Sequence, residues 1–83
     1  MKIPTIHLNG TSKDELLDQT LTAADAINVA IRALVNASPN ARDYYPQGNG
    51  AYGIARDEHL SRLNRLQDVL QELSDIAEDI SDL

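Results

Sequence analysis

The sequence predicts an all-α fold: an antiparallel helical hairpin with a short N-terminal extended strand, assembling into a homo-oligomeric helical bundle. Three observations carry that expectation. Leu63, Leu66, Leu70, Leu73, Ala77 and Ile80 recur at alternating spacings of three and four, the period of one helix face. Ser12 followed by Glu15 opens an earlier apolar stretch with a capping box. Between the two stretches lies a segment rich in Pro, Gly and Asn, the composition of a turn.

The elements follow in order within a single domain, residues 1–83. Residues 1–10 form an extended arm. In it "TIHLNG" alternates Ile6 and Leu8 against Thr5 and His7 and stops at the turn signal Asn9-Gly10, so it reads as one short strand. A lone strand must lie against the helices, pair with another chain, or remain extended coil. The first helix spans 12–38 and ends before Pro39, which disfavours helical geometry at the residue preceding it. Its apolar residues form two adjacent stripes, one of Leu17, Leu21, Ala24, Ile31 and Val35, the other of Leu16, Ala23, Ile27, Ala30 and Leu34, with Thr20 and Asn28 as polar interruptions. A loop covers 39–52. The second helix, 53–82, adds to its leucine seam a further row of Val69, Leu73, Ile76, Ile80 and Leu83.

Each helix therefore carries more apolar surface than one partner helix covers. A chain of 83 residues buries only a modest share of its surface, and with no cysteine it has no disulfide to add stability. A second copy is the remaining source, which predicts a homodimer or larger assembly. Leu17, Leu21, Ile31, Leu66, Leu73, Ile76 and Ile80 are its expected interface.

Charge narrows the function classes. The net charge of −6 argues against binding nucleic-acid backbones, where basic patches supply most of the affinity. The charge is also uneven: residues 29–66 hold five arginines against three carboxylates, the remainder two lysines against ten. The amino end has one lysine and no long apolar run, so neither a leader nor a membrane anchor is expected, and a cytoplasmic location follows.

All three tyrosines fall within "ARDYYPQGNGAYG", residues 41–53, in a chain with no Phe or Trp. Bundle packing is left to aliphatic residues, and the rings stand where a core does not need them. Long loops in compact domains are disproportionately functional, and tyrosine combines an apolar body with a polar tip. The expected partner- or ligand-binding residues are Arg42, Asp43, Tyr44, Tyr45, Gln47 and Tyr52, joined by Arg56 and His59 from the first turns of the second helix. The plainer reading makes the tyrosines caps on the open end of the hairpin, and His59, four residues before Leu63, a packed residue tying loop to helix. Asp75, Glu78, Asp79 and Asp82 form an acidic end that reads as a solvated face or as a surface for a basic partner.

No enzymatic apparatus is visible: there is no nucleophile elbow and no phosphate loop, and no ligand-type residue lies four positions from His59 on its helix. No catalytic residue, cofactor or metal is expected. The start "IHLNGTS", the block "PNARDYYPQG" and the later "EHLSRL" resemble a group of small accessory proteins of tailed bacteriophages and prophages. The resemblance runs over most of the chain and implies a protein acting in the infected bacterial cell, in a group rich in inhibitors and decoys of host defence. It brings no activity, ligand or catalytic residue with it. Two functions follow. The first is a non-enzymatic protein that binds a host macromolecule through the tyrosine loop. The alternative is a protein that binds or sequesters a small nucleotide-like ligand in pockets at the oligomer interface.

Overall fold

The computed structural model describes residues 1–83, and it is all-helical. Helix α1 runs Lys13–Asn36 and helix α2 runs Ala51–Ser81. Ser12 caps α1, its Oγ accepting from the Glu15 amide at 3.2 Å. At the other end the Ala37 amide still reaches the carbonyls of Ala33 and Leu34, and Pro39 stops any further turn.

The helices pack as an antiparallel hairpin. Lys13 Nζ donates to the Leu83 backbone oxygen at 2.9 Å at one end, and Ser38 Oγ lies 3.3 Å from His59 Nε2 at the other. Both contacts give the same register, which sets Ala24 across from Leu73. Lys13 thereby places a cation at the carboxyl end of α2, where the helix dipole and the acidic residues of that end both favour it.

The α1 seam draws alternately on the two stripes: Leu17, Ala24 and Ile31 stand seven apart, and so do Thr20, Ile27 and Leu34, all with reduced exposure. Thr20 fits because its hydroxyl bonds the Leu16 carbonyl at 2.8 Å, leaving no polar group seeking a partner across the seam. On α2 the corresponding rows are Leu63, Leu70, Ala77 and His59, Leu66, Leu73, Ile80. Two strict seven-residue repeats are the pattern of an antiparallel coiled coil.

A single seam encloses little. Only Ala24, His59, Ala77 and Ile80 are buried, and most other seam residues are half-buried. The molecule is a rod of 62 × 20 × 17 Å with a radius of gyration of 18.6 Å. A compact chain of this length has a radius near 12 Å.

The extended strand expected at the amino end does not form. Residues 1–7 have no regular structure, and a turn follows, closed by the Gly10 amide on the His7 carbonyl at 3.1 Å. The fold contains no other strand to pair with it, and Leu8, expected on the apolar side, is 98% exposed. The arm is coil, its alternating pattern left without a sheet to satisfy.

Candidate functional site

The connection between the helices folds into two short 3₁₀ turns, Ala41–Asp43 and Tyr45–Gln47. Asn40 starts the first, its side-chain oxygen accepting from the Arg42 amide at 3.0 Å. Pro46 sits in the opening turn of the second, where its missing amide donor has no cost. Gly48 and Gly50 then take φ of 100° and 90°, which turns the chain into α2.

These turns divide the tyrosines. Tyr44 and Tyr52 are half-buried and lie against each other, ring centroids 6.4 Å apart at an interplanar angle of 50°. They close the open end of the hairpin, the role of caps. Tyr45 is 77% exposed and projects from the second turn. Arg42, Asp43 and Gln47 are also exposed, and Arg42 has no carboxylate within ion-pair distance. Arg56 leans on its neighbour Asp57 at 3.4 Å, with both side chains more than half exposed, so the pair contributes little.

His59 is 6% exposed, in line with its spacing before Leu63. Beside it Ala37, Pro39, Tyr44, Ala55, Glu58 and Arg62 complete a small cleft of about 300 Å³ beneath the loop. Ser38 and His59 have the composition of a nucleophile and its base, but not the arrangement. The Ser38 hydroxyl donates to the Val35 carbonyl at 2.6 Å, so towards His59 it can only accept, and the imidazole Nε2–H is the donor. The pair fastens the end of α1 to α2 and leaves the hydroxyl unactivated. No group of three or more metal-ligating side chains converges anywhere in the chain.

Among the interface residues read from the sequence, Ile80 is only 2% exposed and is enclosed within the hairpin itself. Leu17, Ile31, Leu66, Leu73 and Ile76 are half-buried, and Leu21 is exposed. Sequence reasoning missed Arg62 and Arg65. Both line a groove with Leu34 and Leu66, and Arg62 also borders the cleft under the loop. Their signal was present, because an arginine pair three apart beside seam residue Leu66 must flank the seam.

No family model matches the chain, and no curated protein or solved structure matches it either. No helix is long and apolar enough to cross a membrane.

Proposed function

We propose that this chain is a non-enzymatic interaction protein of the phage accessory type, acting in the cytoplasm of the infected cell. Its hairpins self-associate and present the loop end to a host macromolecule, with inhibition or decoy of a host defence component as the outcome. One observation carries the reading: Tyr45 and Arg42 both stand exposed in the loop, and Arg42 has no ion-pair partner. An exposed ring and a free guanidinium in one loop are residue types enriched among interface anchors. Such a pair is not needed to hold the hairpin, which Tyr44 and Tyr52 already close.

The experiment is quantitative capture from bacterial lysate, comparing the wild-type chain with Tyr45→Ala and Arg42→Ala. A host protein retained by the wild type and lost with either variant supports the reading. Identical capture by all three overturns it.

The cleft between Tyr44, His59 and Arg62 supports the small-ligand alternative, since it joins a ring, an imidazole and a guanidinium. A thermal-shift screen with nucleotides separates the two readings, because a ligand at one hundred times its dissociation constant adds about 2.7 kcal/mol.

A further inference from the structure

All six asparagines of the chain are exposed, and two of them precede glycine, Asn9-Gly10 and Asn49-Gly50. An asparagine side chain lies within reach of the next residue's backbone nitrogen, and attack of that nitrogen on the side-chain carbonyl closes a five-membered succinimide ring. A side chain on the next residue obstructs the closure; glycine does not. Asn28, Asn36, Asn40 and Asn64 are followed by Val, Ala, Ala and Arg. Two Asn-Gly pairs remain, and the fold treats them differently.

At Asn9-Gly10 the nitrogen that would attack is engaged. The Gly10 amide donates to the His7 carbonyl at 3.1 Å, and the His7 ring lies so close over Gly10 that a Cβ there would meet Nε2 at 2.7 Å. Ring closure needs that hydrogen bond broken and the imidazole displaced. At Asn49-Gly50 neither restraint exists. Gly50 stands just ahead of α2, where its carbonyl accepts from the Ile54 amide at 3.1 Å while its own amide donates to no backbone carbonyl. A methyl group at Gly48 or Gly50 meets nothing within 4 Å, so there is room on both sides of Asn49 for its side chain to turn. The helix end adds a charge effect. No side chain caps α2, and the amides of Ala51, Tyr52 and Gly53 have no backbone partner. These orphan donors and the positive end of the helix dipole lie next to the nitrogen that must lose its proton, and they favour a carboxylate at residue 49 in the product.

We propose that Asn49 is a site of spontaneous covalent modification, cyclising to a succinimide that opens to isoaspartate and aspartate, whereas Asn9 is held back by the fold. Hydroxide removes the Gly50 amide proton. The nitrogen then bonds to Asn49 Cγ, and the Cγ–Nδ2 bond breaks with release of ammonia, which takes its proton from water. A water molecule next adds to one of the two ring carbonyls. Breaking the new bond between Cγ and the Gly50 nitrogen leaves aspartate; breaking the original peptide bond to that nitrogen leaves isoaspartate, whose main chain runs through Cβ and Cγ. One water is consumed and one ammonia released, with no oxidant, reductant or cofactor. Either product makes the net charge of −6 more negative by one, and isoaspartate lengthens the main chain by one carbon ahead of α2. The change falls between Tyr45 and Tyr52, so the loop end of the rod alters covalently as the protein ages.

Incubation of the full chain at mildly alkaline pH in heavy-oxygen water, followed by tryptic digestion and mass spectrometry, reads both sites at once, because residues 3–13 and 43–56 fall in separate peptides. The peptide with Asn49 is expected to convert about five-fold faster than the peptide with Asn9, the factor for having to break one ordinary hydrogen bond. Its product carries a heavy oxygen and separates into isoaspartate and aspartate forms. The same incubation in denaturant brings the two rates close together, since only the fold distinguishes the pairs. Hydroxylamine, which attacks the succinimide, cleaves the chain between Asn49 and Gly50. Asn49→Gln, whose longer side chain would have to close a six-membered ring, abolishes both the conversion and the cleavage in the loop. Equal rates at the two sites in the folded chain, a faster rate at Asn9, or a difference that persists unchanged in denaturant would each overturn the proposal.

Discussion

Ser38 Oγ lies 3.3 Å from His59 Nε2 while its own proton goes to the Val35 carbonyl at 2.6 Å. The carboxyl end of α1, the loop and α2 are thus joined through one side chain, the only buried polar residue of the protein. Removing it leaves a void and releases the loop anchor, so His59→Ala is expected to destabilise the fold by about 2–3 kcal/mol. Ser38→Ala is expected to cost about 1 kcal/mol, and a double-mutant cycle to give a coupling of about 0.5–1.5 kcal/mol. Chemical denaturation of the four proteins checks this. A coupling near zero removes the contact from the account.

The tyrosines separate into two kinds, and their variants follow suit. Tyr45→Ala leaves stability within about 0.5 kcal/mol, as for other exposed positions, and weakens partner binding by at least about 1 kcal/mol. Tyr44→Ala and Tyr52→Ala each lower the melting temperature by about 4–8 °C for every kcal/mol lost. Melts monitored by circular dichroism, run beside a binding titration, distinguish the two classes. A destabilised Tyr45→Ala would make that ring structural as well.

Much of this is legible in the sequence alone. The three-four spacing in α2 needs no tertiary information, and extending it back by four residues places His59 in the seam where the structure has it. α1 was harder. Its two stripes differ by only one helical position, and which residues face α2 depends on the rotation of the helix in the hairpin, a property of both helices together. Thr20 enters the seam because its hydroxyl is satisfied within its own turn, which periodicity alone does not reveal. The arm failed as a strand for a related reason: alternation states which face is apolar, but not whether a partner exists to pair with it. The division of the tyrosines depends on the two 3₁₀ turns, and short turns leave no periodic signal.

The glycines make a paired prediction. Gly48 has φ 100° and ψ 178°, a region reached almost only by glycine, so Gly48→Ala is expected to cost about 1–3 kcal/mol even though a methyl group there meets nothing. Gly53 lies in the first turns of α2, and a methyl group there also meets nothing within 4 Å. Gly53→Ala is therefore expected to stabilise by about 0.4–1 kcal/mol through the unfolded chain. Denaturation midpoints moving in opposite directions bear this out; the same direction for both contradicts it.

At the other end of the rod, Ser12→Ala removes the acceptor for the Glu15 amide and is expected to cost about 1 kcal/mol. Amide hydrogen exchange locates the loss. Protection should fall in the first turn of α1 before it falls at Leu34, and uniform loss along α1 would show that the cap does not act locally.

One hairpin encloses only four buried residues, which is the ground for the proposal that it folds as an assembly of copies. Sedimentation equilibrium of the wild-type chain over a dilution series, paired with far-ultraviolet circular dichroism of the same samples, tests it most directly. The account predicts a mass at least twice the 9.1 kDa of one chain wherever helix is present, with helix and assembly lost together on dilution. A fully helical species of single-chain mass at micromolar concentration would contradict it.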